Sequence, residues 1–180
     1  PLINIIEDIV YIDDPFVIDE LDGRMGLRRY LHFNYNSQHR KKLVYQLKHQ
    51  ETFNSIESIL AERKLDKILD TLNEVCPGEL KSGNNRYNYI ADGKELNVKN
   101  LSAGLKTFAL FKQLILNGTI GQNSIVILDE PEIHLHPEWQ LILARLIVLL
   151  QIEFDLHILL TTHSPYFLNA IEVFSARYHM

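Results

Sequence analysis

The chain has 180 residues, of which 46% are hydrophobic and 23% charged, and its formal net charge is −5. This is the balance of a folded globular protein, and a chain of this length buries roughly two-thirds of its unfolded surface, which argues against disorder and against a scaffold held by disulfide staples. Cys76 is the sole cysteine, so no intrachain disulfide forms, and a reducing, cytoplasmic setting is expected.

No basic stretch precedes an apolar one at the N-terminus, so no signal peptide is visible. Val10, Tyr11 and Ile12 read as a strand that ends at Asp13-Asp14-Pro15. From about Glu20 to Val75 the pattern is helical. Its clearest part carries Phe53, Ile56, Ile59, Leu60, Ile68, Leu69, Leu72 and Val75 at spacings of mostly three and four, with Glu57, Glu62, Lys64, Asp66, Lys67 and Asp70 on the other face. Pro77-Gly78 ends it. Between Gly23 and Gln50 lie Arg24, Arg28, Arg29, Arg40, Lys41, Lys42 and Lys48 without an acidic residue, so this segment is +7 and the remainder −12. Such segregation marks either an electrostatic surface for an anionic partner or a solvated helix face.

Arg86–Ala91 and Lys94–Val98 flank Asp92-Gly93, a hairpin signal. Ser102 to about Asn117 is helical and stops near Gly118. Ser124–Leu128 is a short apolar strand, and Pro137 to Leu150 is a helix apolar on nearly every side, expected to be buried on more than one face. Its run Leu141 to Leu150 is broken by Arg145 and too short to cross a bilayer. Leu156–Leu160 reads as a second buried strand, and Ser164-Pro165 opens a helix with a serine N-cap and an N1 proline. Strand, helix and strand with continuous apolar strands predict a parallel βαβ unit. Residues 1–80 thus form a helical, basic region and 81–180 an α/β lobe, together one truncated domain. The chain starts at Pro1 and stops just after an apolar, strand-like stretch, so it is expected to be a fragment.

Three motifs carry chemistry. In Ile125-Val126-Ile127-Leu128-Asp129-Glu130-Pro131 a buried strand ends in two carboxylates, at the strand end where open α/β sheets bind ligands. One acid can hold Mg²⁺ and the other can orient or deprotonate a water; a polar strand cap before a turn would look the same. In Leu159-Leu160-Thr161-Thr162-His163-Ser164-Pro165 the neighbouring strand ends near His163. Its imidazole would stand near Asp129 and Glu130, able to donate to a phosphate oxygen or accept from water. In Asn100-Leu101-Ser102-Ala103-Gly104-Leu105-Lys106 a serine N-cap and small residues open a helix. Its N–H groups make a potential anion site, to which Lys106 adds charge.

In order and spacing these segments resemble the C-terminal half of an ATP-binding-cassette ATPase head. Leu101–Lys106 is similar to the signature motif, Ile125–Glu130 to Walker B, Ile133–Pro137 to the D-loop region and His163 to the switch histidine. The wording around Asp129–Pro137 and Thr161–Pro165 is closer to the non-transporter branch, the AAA-type ATPases akin to the OLD family, with RecF and SMC heads as cousins. The resemblance covers about residues 97–170 and implies a P-loop NTPase-like α/β fold. It implies that Asp129 holds Mg²⁺ and that Glu130 is the general base toward the γ-phosphate of ATP, which His163 contacts. Ser102 and Gly104 would face ATP bound to a second head, so that ATP is sandwiched in a dimer; relatives act on DNA or with a partner nuclease. No membrane partner is implied. The sequence departs from the family in having no Gly-x-x-x-x-Gly-Lys-Ser/Thr, the loop that cradles phosphates. That loop is expected upstream of Pro1. A Q-loop is not evident, Tyr11–Asp14 being where it would lie, and Leu105 replaces a commonly polar residue.

Two rival readings remain open. His134-Leu135-His136 has the H-x-H spacing of a zinc site, beside Glu132 and Glu138, but needs a third ligand and an open position. The basic segment could also belong to a binding module that does not hydrolyse anything, although no element that reads bases is recognisable.

Overall fold

A computed structural model describes residues 9–21, 38–48, 58–83 and 86–178. In chain order these form β1 (Ile9–Ile12), a 3-10 segment (Pro15–Leu21), α1 (Gln38–Lys48), α2 (Ser58–Asn73), β2 (Glu79–Gly83), β3 (Arg86–Ala91) and β4 (Lys94–Asn97). A second 3-10 turn (Val98–Asn100) leads into α3 (Ala103–Leu116), β5 (Ile125–Asp129), α4 (Pro137–Phe154), β6 (His157–Thr161) and α5 (Pro165–Tyr178). Phe53, Ile56, Arg24, Arg28 and Arg29, and the side chains of Ile59 and Leu60, lie outside the described residues.

β1, β5 and β6 make a parallel sheet in the order β1-β5-β6. Ile12 pairs with Leu128, and Asp129 with Thr161. Parallel neighbours cannot be joined by a tight turn, and α4 supplies the crossover from β5 to β6, as the βαβ pattern predicts. β-branched residues favour β5 (Ile-Val-Ile-Leu), and Pro137 fits the first turn of α4, where its missing N–H costs nothing. One sheet face, Val10, Ile12, Val126 and Leu128, is buried in the core.

The strand after α4 departs from expectation. Among the described residues β6 is one of the two edge strands, and its residues alternate: His157, Leu159 and Thr161 are exposed while Ile158 and Leu160 turn toward the core. Leu159 is 60% exposed. An apolar run shows that a strand is hydrophobic, but the elements packed on each side of the sheet decide whether both of its faces are covered.

α4 buries Leu143, Ala144, Leu146, Ile147, Val148, Leu149 and Leu150 and packs against α5 and α2. On α2, Ile68 and Leu72 are fully buried and Asp66, Lys67 and Asp70 exposed, as their spacing predicts. Lys64 Nζ donates to the Glu153 carbonyl at 2.8 Å and Lys67 Nζ pairs with Glu153 Oε1 at 2.8 Å, tying α2 to α4. The apolar stretch near the C-terminus is helical. Phe167 and Ala170 are buried and Ile171 and Phe174 pack beside them, a spacing of three and four that belongs to a helix stripe.

β2, β3 and β4 form a second, antiparallel sheet. Asp92 (φ 50°) and Gly93 (φ 73°) make the two-residue turn expected between β3 and β4. β2 itself was not legible, because only Leu80 of Glu-Leu-Lys-Ser-Gly is buried. No helix among the described residues is long and apolar enough to cross a membrane.

Candidate functional site

The ends of β5 and β6 bring three of the expected residues together. The register sets Asp129 beside Thr161, whose hydroxyl donates to Asp129 Oδ1. Tyr11 on β1 donates its hydroxyl to Asp129 Oδ2 at 3.4 Å. The next residue, Glu130, leaves the strand with φ 46°. A left-handed conformation at a non-glycine residue costs roughly 1–2 kcal/mol and persists only where the surroundings impose it. Here the Glu130 N–H donates to the Thr161 carbonyl at 3.1 Å and to Thr161 Oγ1 at 3.2 Å. The turn carries the Glu130 carboxylate to His163, with Nε2 3.0 Å from Oε1. His163 is 92% exposed and Glu130 30%, so the pair stands at the surface with room for a ligand.

A cleft of about 190 Å³ opens beside this pair. Ile12, Asp13, Asp14 and Pro15 line it from the end of β1, Thr107 and Leu110 from α3, and Asp129, Glu130, Pro131, Ile133 and His134 from the turn after β5. Asp13 keeps one buried oxygen, Oδ1, without a hydrogen-bond partner among the described residues. Its other oxygen meets His39 Nε2 at 2.9 Å, and the His39 ring lies 4.9 Å from that of Tyr11. Burial, then the Asp129 and Asp13 charges, push the Tyr11 phenol above its ordinary pKa. Several hard oxygens with one left orphaned suit a small divalent cation. Mg²⁺ needs only one or two carboxylates when waters and substrate phosphates complete its shell.

The α3 N-terminus has the expected serine cap but not the expected free charge. Ser102 is exposed and caps the helix, its Oγ accepting from Leu105 N at 3.3 Å. Gly104 is buried. A Cβ there would lie 3.0 Å from the Trp139 ring and 3.2 Å from Leu135 Cδ2, so this glycine lets α4 approach. Lys106 corrects the expectation of a charge offered to an anion. Its side chain is 2% exposed, with Nζ 2.7 Å from Asp19 Oδ1 and 4.6 Å from the centre of the Phe16 ring. The ammonium is spent on pinning the Pro15–Leu21 segment to α3.

Of the basic segment, Arg40 is committed to ion pairs within the fold. Arg40 donates Nε to Glu20 and Nη1 to Asp14 Oδ2, the latter at 2.7 Å. Burial works against its charge, and these two carboxylates outweigh it and raise its pKa. Arg40 therefore anchors α1 to the segment beside the cleft and contributes no free cation to a surface. His134 and His136 lie in the exposed turn before α4, with His134 edge-on to Phe16 at 5.8 Å. Among the described residues no three His, Cys, Asp or Glu side chains converge as a metal-binding group, so the zinc reading gains no third ligand there.

Sequence reasoning gave Thr161 and Thr162 no role, placed Tyr11 only in the Q-loop region and weighed Glu132 only beside the H-x-H pair. The Thr162 hydroxyl donates to Glu132 Oε1. The signal was present in the paired threonines before His163 and the second glutamate after Asp129-Glu130, but its meaning depends on the two loops facing each other.

A family model described as "AAA domain, putative AbiEii toxin, Type IV TA system" matches residues 5–169. The chain is also similar to a protein of Vibrio cholerae serotype O1 biovar El Tor named "Retron Vc95 probable ATPase", with 32% identity over 93 residues. That match covers 46% of this chain and 18% of the relative, so the chain spans less than a fifth of that protein's length.

Proposed function

Since the chain belongs to this AAA-domain ATPase family, we propose that it supplies the metal-binding and water-activating side of an ATP-hydrolysing site. The α/β architecture with its parallel sheet is that of a P-loop NTPase-like AAA domain. The observation that carries the proposal is the Glu130–His163 pair at 3.0 Å, beside Asp129 at the C-terminal ends of adjacent parallel strands.

Asp129 would hold Mg²⁺ at the cleft, and the ion would supply neutralisation of phosphate charge there. Glu130 accepts the proton of the water that attacks the γ-phosphate, while its backbone, fixed on Thr161, keeps the carboxylate aimed. His163 holds Glu130 from the solvent side and donates toward a γ-phosphate oxygen. Tyr11 and Thr161 each occupy one oxygen of Asp129 and so fix its plane.

The finer reading follows the cassette-type heads. The exposed Ser102 at the α3 N-terminus faces the ATP of a second head, and hydrolysis is tied to dimer formation. Helix N–H groups at that end favour the approaching phosphates. Lys106 has no direct part, since its charge belongs to Asp19.

Phosphate release by the full-length protein tests the reading. Hydrolysis should require Mg²⁺, and Asp129→Asn should raise the Mg²⁺ concentration needed for half-maximal rate by about tenfold or more, as expected on losing an anionic ligand. Absence of ATP hydrolysis, or an unchanged Mg²⁺ requirement in Asp129→Asn, would contradict it.

A further inference from the structure

The two loops at the strand ends face each other as a ladder. Asp129 meets Thr161, Glu130 meets His163, and Glu132 meets Thr162. The third rung is distinguished by its burial. Glu132 is only 4% exposed. Its Oε1 accepts from the Thr162 hydroxyl, and its Oε2 is buried without a hydrogen-bond partner among the described residues. Thr162 Oγ1 in turn accepts from Ser164 N at 3.0 Å, and Ser164 Oγ accepts from Phe167 N at 3.2 Å at the start of α5. His163 therefore projects into solvent from a loop whose two flanking residues are tied down.

Stability alone does not account for this rung. A buried carboxylate with one unpaired oxygen is costly, and apolar groups of similar volume usually replace such a pair without loss. What the rung does is geometric. Glu132 is two residues from Glu130, and Thr162 is adjacent to His163, so their bond sets the height of one loop against the other.

We propose that Glu132 and Thr162 are positioning residues: their buried hydrogen bond holds the His163 loop in register with the 129–132 turn, so that His163 Nε2 stays within reach of Glu130. This rests on the assignment of Glu130 and His163 given above. Displacing a reacting group by about 1 Å can cost about 10²-fold in rate.

The test is steady-state ATP hydrolysis by the full-length protein. Thr162→Val should lower kcat by about 10- to 100-fold with KM for Mg-ATP nearly unchanged, and Thr162→Ser, which keeps the hydroxyl, should restore most of the rate. The double variant Glu132→Met/Thr162→Val should keep the thermal midpoint and remain slow, which also covers the case in which Thr162→Val alone fails to fold. In a His163→Ala background Thr162→Val should have little further effect, because the two act through one group. Wild-type kcat in Thr162→Val, or losses that simply add in the double mutant, would overturn the positioning role. If Glu130→Gln and His163→Ala are slow while Thr162→Val is not, only the rung falls; if all three turn over normally, the site assignment falls with it.

Discussion

Lys106 Nζ lies 2.7 Å from Asp19 Oδ1, beneath the Phe16 ring and out of reach of solvent. The contact joins the start of α3 to the segment that runs past the cleft. Removing one member of a buried pair leaves the other charge uncompensated, at a cost of about 3–5 kcal/mol. The low end applies here, because Asp19 is 24% exposed. Lys106→Met should therefore lower unfolding stability by about 3 kcal/mol, and Lys106→Met/Asp19→Asn should recover part of the loss. A denaturant titration checks both; an unchanged midpoint in the single variant would show that the pair contributes nothing.

Gly104 and Trp139 give a sign test. Alanine at 104 would press on the indole and on Leu135, and overpacking costs about 1–3 kcal/mol. Against this stands a gain of up to about 1 kcal/mol from replacing a helical glycine. Gly104→Ala should be destabilising in the wild-type background and stabilising once Trp139→Leu has made room. Trp139 is the sole tryptophan, so its fluorescence should shift in Gly104→Ala and report the displaced ring directly.

Much of this site is legible in the sequence. Four apolar residues followed by Asp129 and Glu130, and a second apolar run leading to His163, imply adjacent parallel strands whose ends meet, and the 3.0 Å pair is the result. The Ser102 cap and the Pro137 helix start are local features, set by hydrogen bonds within one turn. What could not be read depends on partners distant in sequence. Lys106 looks like a surface residue until Asp19, 87 positions away, is brought against it. The exposed face of β6 depends on which elements pack on the sheet, which no local pattern encodes, and β2 exists because β3 offers a ladder to a polar segment.

The hairpin carries a pH prediction. Burial, and then the hydrogen bond with Cys76, push the Tyr89 phenol from 10.0 up to about 12; its oxygen also accepts from Gly78 N at 2.8 Å. A pKa raised by folding means that the stabilisation is complete below pH 10 and is lost as the pH climbs through 12. The urea midpoint should fall across that window, and Tyr89→Phe should flatten the fall. Tyrosinate absorbance should show one phenol fewer titrating near 12 in the variant. Identical slopes for both proteins would remove Tyr89 as the cause.

If two heads share each ATP, defects on opposite sides of the site should complement. Ser102→Arg places a bulky cation at the α3 N-terminus and should block a second head while sparing nucleotide binding to one. Mixed with Glu130→Gln, the heterodimer contains one site with an intact Ser102 and an intact Glu130. Turnover should rise above that of either variant alone. No recovery in a mixture shown to form heterodimers would count against the shared site.

The most direct measurement is the turnover of full-length Glu130→Gln beside its affinity for Mg-ATP. The amide keeps the size of the carboxylate and can still meet His163, but it cannot take a proton from water. The expected result is a kcat lower by about 10²–10⁴-fold with nucleotide binding preserved. Wild-type turnover in Glu130→Gln would contradict the assignment of Glu130 as the base, and with it the reading of this strand end as a hydrolytic site.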